Sequence, residues 1–188
     1  MPIGSLCLLA IVPLALTGWL EGLARDLHLK PKSISVLILA LLLLRATIAP
    51  HYGGPLSFVL LATALLFIGF VRGRGRAQWV PVVLGSAVLL LTPLPLTLGG
   101  LDPVLLTPLL AAVICGATAQ GAGGCLVNVT LATLLAGSIG QPQGASGLSL
   151  LTSLDLYQTL AASACVALAL WSLRQFLASR LVRIGQLP

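Results

Sequence analysis

The chain has 188 residues, of which 58% are hydrophobic and only 7% charged, and its mean hydropathy is +1.10. Soluble domains carry about 25% charged residues, so this composition excludes a domain whose surface is covered by water. The net charge of +6 comes from basic residues clustered between apolar runs, where they set membrane orientation, and this placement argues against nucleic acid as a partner.

Apolar runs long enough to cross about 30 Å of hydrocarbon recur from end to end. They predict an all-α, polytopic transmembrane helical bundle of about seven spans, forming one integral membrane domain over 1–188. The first span is expected at 2–20; it has no basic leader and no clear cleavage site, so it reads as retained. The link "EGLARDLHLKPK" leads to span 2 at 33–49, and "RATIAPHYGGP" to span 3 at 56–71. "RGRGRAQ" precedes span 4 at 79–98, and "GGLDP" precedes span 5 at 103–119. "QGAGG" separates span 5 from span 6 at 125–139, and a Gly/Gln/Ser-rich loop leads to span 7 at 155–172. A cytoplasmic tail, 173–188, is expected to be weakly amphipathic through Leu173, Leu177, Leu181 and Ile184, a pattern suited to lying along the interface.

With the N-terminus outside and the C-terminus inside, every lysine and every arginine except Arg45 falls on the inner side, as the positive-inside rule requires. Trp19, Trp79 and Trp171 then fall at inner span ends and Tyr52 and Tyr157 at outer ones, the expected interfacial belts. Spans 5 and 6 are short and the link between them is uncharged. Two full crossings and a re-entrant hairpin both fit.

The stretch "TAQGAGGCLVNVT", 118–130, concentrates the polar residues of the chain's middle. It has neither the lysine nor the glycine spacing of a phosphate loop. One reading is a tight helix–helix turn at Gly121, Gly123 and Gly124. Ala112, Gly116 and Gln120 form a small-residue stripe on span 5, and Asn128, Ala132, Ala136 and Gly140 one on span 6. Such stripes let membrane helices approach closely, and Gln120 and Asn128 are then expected to hydrogen-bond across the hairpin. The second reading uses Gln120, Asn128, Thr118 and Thr130 as substrate-binding groups at an interrupted helix. The packing reading is favoured, because glycine and other small residues are ordinary in membrane helices.

Prolines recur in "LLTPL" at 90–94 and 105–109. Thr92 and Thr107 stand where they can satisfy the carbonyls that proline frees. Arg45, Asp102 and Asp155 lie at the outer ends of spans. They read as a snorkelling arginine and two helix-start acids, with an ion pair as the sharper alternative. Asp102–Pro103 has the form of an N-cap followed by proline at the first helical position. Arg72, Arg74 and Arg76 are expected at the lipid surface, where they anchor the inner loop to anionic lipid. Cys7, Cys115, Cys125 and Cys165 form no CxxC pair and read as small apolar residues.

Catalytic patterns are missing from the sequence, and neither a metal nor a cofactor is expected. "GASG" at 144–147 is similar to the serine motif of rhomboid proteases, but the activating histidine must follow it. Both histidines, His28 and His51, precede it. "NVT" at 128–130 lies inside a span and cannot serve as a glycosylation site.

"GW" near the end of span 1, the basic link after it, "DPV" at 102–104 and "SLD" at 153–155 together resemble the YphA-like proteins, small seven-span membrane proteins of spore-forming bacteria. The resemblance implies a multi-pass protein of the bacterial cytoplasmic membrane and brings no activity or functional residues with it. The expectation is therefore a non-enzymatic assembly, scaffold or regulatory component, with membrane lipids and either a protein partner or a second copy of the chain as its contacts. A small-solute transporter or channel, with its site at the span 5/6 break, is the alternative.

Overall fold

The computed structural model describes residues 3–16, 21–52, 54–90, 103–139 and 154–184. All regular structure among these residues is helical: α1 (Ile3–Leu16), α2 (Glu21–Asp26), α3 (Pro31–Tyr52), α4 (Gly54–Phe67), α5 (Trp79–Leu90), α6 (Pro103–Thr118), α7 (Ala122–Ile139) and α8 (Leu154–Ile184). A π turn, Ile68–Arg72, continues α4. Two segments, Ala122–Ile139 and Leu156–Ala178, are long and apolar enough to cross a membrane. Four shorter apolar helical segments accompany them, Lys32–Leu43, Leu56–Arg72, Trp79–Leu90 and Leu106–Thr118.

Proline and turn chemistry set several boundaries. Pro31 opens α3 and Pro103 opens α6, where a missing N–H is harmless because the first turn has no partner for it. Pro81 stands within the first turn of α5 for the same reason. The helix α2 ends in a Schellman motif. Leu29 N donates to Ala24 O at 2.8 Å and His28 N to Arg25 O at 3.1 Å. His28 takes the left-handed position there with φ 50°, so it is a helix stop and is exposed.

The centre of the bundle is α7. Every residue from Ala122 to Thr130 is buried, so this half of the helix has no outward face, as expected for an element surrounded by others. It packs against α5, α8, the π turn, α6 and α4. The small-residue stripes do not face each other as the hairpin reading predicted. Both α6 and α7 pack more extensively on α8 and α5, respectively, than on one another. A Cβ on Gly116 of α6 would stand 3.2 Å from the Ala167 carbonyl oxygen of α8. A Cβ on Gly85 of α5 would meet Cys115 Sγ at 3.1 Å and the Ala132 Cβ of α7 at 3.2 Å. The small residues let non-sequential helices close on each other.

At 16 and 18 residues, α6 and α7 are about 24 and 27 Å long at roughly 1.5 Å per residue. They are full helices joined by the turn at 119–121. The segment expected as a tail from 173 continues α8 as far as Ile184. Two aromatic residues of α8 are buried against other helices: Tyr157 is 3% and Trp171 5% exposed. Both belong to the main apolar cluster with Leu160, Ala161 and Ala164 of the same helix. Trp79, by contrast, is 70% exposed.

Candidate functional site

The polar interactions of the described residues converge on the N-terminal half of α7. Asn128 is fully buried. Its Oδ1 accepts a hydrogen bond from the backbone N–H of Gln78 at 2.9 Å, and its Nδ2 donates to Gln78 Oε1 at 3.3 Å. Gln78 is the last residue before α5, so this reciprocal pair fixes the start of α5 against the middle of α7. Gln120, the partner expected for Asn128, lies exposed in the α6–α7 turn.

Immediately below this pair the segment after the π turn crosses α7 backbone against backbone. A Cβ on Gly73 would stand 2.5 Å from the Gly123 Cα, and one on Gly123 would stand 2.6 Å from the Gly73 carbonyl oxygen. A Cβ on Gly75 would fall on the Gly123–Gly124 peptide. Gly69 meets the same helix, with a Cβ placed 2.7 Å from Val127 Cγ2. The π widening belongs to this crossing. Gly73 N donates to Ile68 O and Gly75 N to Gly69 O, both at 2.8 Å, so the last turn of α4 opens and releases its backbone onto α7.

Two more contacts hold the same end of the bundle. Asp26 Oδ2 accepts from Ala122 N at 2.7 Å, across 96 residues of sequence. It satisfies one of the N–H groups that a helix start leaves without a partner, and its charge suits the positive end of the helix dipole. Arg174 donates from a guanidinium nitrogen to the Ala117 carbonyl at 3.1 Å, in the last turn of α6. Replacing Asp26 with alanine is expected to lower thermal stability by about 1 kcal/mol, with asparagine costing less because it keeps a capping oxygen. Differential scanning fluorimetry of the detergent-purified variants checks this.

The structure separates the four polar residues of the binding reading. Thr118 and Gln120 are exposed, whereas Asn128 and Thr130 are fully buried. Thr118 donates to Ile114 O at 2.8 Å and Thr130 to Leu126 O at 2.7 Å, so both hydroxyl protons return to their own helices. Of the three glycines expected to break the helix, Gly121 lies in the turn, while Gly123 and Gly124 lie in the first turn of α7. Arg72, Arg74 and Arg76 are exposed. Asp102 is outside the described residues. Arg45 lies in α3 and Asp155 in α8, but their side chains, and with them the expected ion pair, are outside the described set. So is Thr92.

Among the described residues, no group of three His, Cys, Asp or Glu side chains stands close enough to hold a metal ion. Cys115 and Cys125 are buried free thiols, and Cys115 Sγ lies 3.6 Å from the Pro81 carbonyl oxygen. Ser163 of α8 donates to the carbonyl of Pro108, inside α6, at 3.2 Å.

Sequence reasoning passed over Gln78 and Asp26. Each carried a weak signal: an uncharged polar residue beside a tryptophan at a span start, and an acid in an otherwise basic link. No family model matches the chain, and comparison with curated proteins and with solved structures returned no match.

Proposed function

We propose that this chain is a non-enzymatic, multi-pass protein of a bacterial cytoplasmic membrane, a scaffold, assembly or regulatory component that acts by presenting a fixed helical bundle to a protein partner or to a second copy of itself. The observation that carries the reading is the inverted distribution of polarity. Asn128, Thr130, Thr133 and Ser163 are fully buried, while Val36, Leu43, Phe67, Val80, Val83 and Leu84 are each more than half exposed. In water this arrangement would leave a large apolar surface uncovered. In a bilayer it places hydrocarbon against hydrocarbon and gives buried polar groups their partners inside. The seven-span path with the N-terminus outside follows from the basic clusters, and the resemblance to the YphA-like proteins points to the same setting.

Packing is favoured over transport because the residues around α7 are occupied with each other. Asn128 is engaged twice by Gln78, and Cys125, one turn before it, is fully buried. The test is thiol labelling of Cys125 in native membranes, in a variant with the other three cysteines replaced. Membranes are first washed at alkaline pH. The protein is expected to stay in the pellet, and Cys125 to resist an impermeant reagent applied from either side. Release by the wash sinks the membrane reading. Rapid labelling reveals a water path and turns the reading to transport.

A further inference from the structure

We propose that the segment Arg72–Gly73–Arg74–Gly75–Arg76 is a binding site for an anionic phospholipid, with the three arginines at the headgroup phosphate and the acyl chains along Phe70, Val71, Trp79 and Val80. The inference rests on the membrane reading and goes beyond it, because it assigns one lipid class to one place on the bundle.

Backbone packing sets the alternation. Gly73 and Gly75 lie where any side chain would collide with Gly123 and Gly124 of α7, so this edge of the segment is pressed inward. The intervening arginines are all exposed. The segment is pinned at both ends, by the Gly73 and Gly75 N–H bonds into the π turn and by the Gln78–Asn128 pair. A basic loop of the usual kind spreads its charge over many conformations. This one holds three charges on a fixed backbone, so less ordering entropy is lost when an anion binds.

Arg74 supplies a second observation. Its φ is 47°, a left-handed conformation that glycine or asparagine adopts at lower cost than arginine does. A strained position filled by a charged side chain points to a role for that side chain. Guanidinium groups suit phosphate through paired N–H donors. The carboxylate at this end that lies against α7, that of Asp26, is engaged with Ala122 N.

The surroundings select a lipid over a soluble polyanion. Phe70 is 46%, Val71 59%, Trp79 70% and Val80 72% exposed, and they flank the arginines on both sides in sequence. On the membrane reading the bilayer covers this apolar surface, so the anion that the arginines meet beside it is a phospholipid headgroup.

The test uses the full chain purified in a neutral detergent and titrated with phosphatidylglycerol or phosphatidylcholine, read by native mass spectrometry and by the unfolding midpoint. Phosphatidylglycerol is expected to bind more tightly than phosphatidylcholine, with the preference falling about fivefold for each arginine removed. Arg74→Asn retains a left-handed residue, so it is expected to leave the lipid-free midpoint unchanged or raise it while reducing the preference. That combination separates a binding residue from a structural one. Equal response to the two lipids overturns the proposal, as does a preference unchanged in the R72Q/R74N/R76Q variant. Equal stabilisation by heparin, by an acidic peptide or by inorganic phosphate also overturns it, because the acyl chains then contribute nothing. Release of the protein in the alkaline wash is a separate result, and it is the membrane reading that then fails.

Discussion

Alanine at Gly75 or Gly123 is expected to unseat α4 from α7 and to cost about 3 kcal/mol or more, at the upper end of what an added methyl group costs in a packed core. Overpacking is ordinarily relieved by side-chain movement. Here the obstacles are backbone atoms: a Cβ on Gly123 would stand 2.6 Å from the Gly73 carbonyl oxygen and 2.7 Å from that of Gly69. Relief therefore requires the whole segment to lift from α7, which also pulls Gln78 away from Asn128. Gly22 supplies the control. It lies in α2 with nothing within 4 Å of a Cβ placed on it, so Gly22→Ala is expected to be neutral or to stabilise by up to about 1 kcal/mol through helix propensity. The measurement is the unfolding midpoint of detergent-purified protein. Equal midpoints for the Gly75→Ala and Gly22→Ala variants would falsify the backbone crossing.

The second large effect is expected at Asn128. Asn128→Ala leaves the Gln78 N–H and side-chain carbonyl without their partner at a part-buried site. Two hydrogen bonds are lost, and the expected cost is about 1–3 kcal/mol. Gln78→Ala keeps the bond from the backbone N–H of residue 78 to Asn128 Oδ1 but loses the 3.3 Å bond, which leaves the buried Asn128 Nδ2 without that partner. The double-mutant cycle isolates that side-chain bond, and its coupling is expected near 0.6 kcal/mol, with a ceiling of about 1.7 kcal/mol, as for polar pairs between membrane helices. Zero coupling would mean that the two side chains do not meet. If Asn128→Ala instead leaves stability intact while removing uptake of a solute into proteoliposomes, the packing reading gives way to transport.

Chain-local physics made the helices legible. Long apolar runs have few alternatives to helix when charged residues are this scarce, and Pro31, Pro103 and the turn at 119–121 mark boundaries through missing donors and glycine. The all-α class and the start of α6 at Pro103 followed from residues adjacent in sequence. The free cysteines were legible in the same way, since no pairing pattern links them.

The partners of the polar residues were not legible. Asn128 lies 8 residues from Gln120 in sequence and 50 from Gln78. Nothing in either neighbourhood says which one the fold brings near. Thr118 and Thr130 looked like ligands by composition, but the hydroxyls turn back to their own helices, a choice made by local geometry once the helix exists. Nor was the burial of Trp171 and Tyr157 legible. Their burial depends on which face of α8 meets the core.

The sequence by itself determined that the chain is helical, apolar and basic in clusters, because those properties are sums over neighbouring residues. Only the tertiary structure decided why "RGRGR" alternates. A glycine is required wherever a second backbone comes within a side chain's width, and that second backbone is α7, some 50 residues further along the chain.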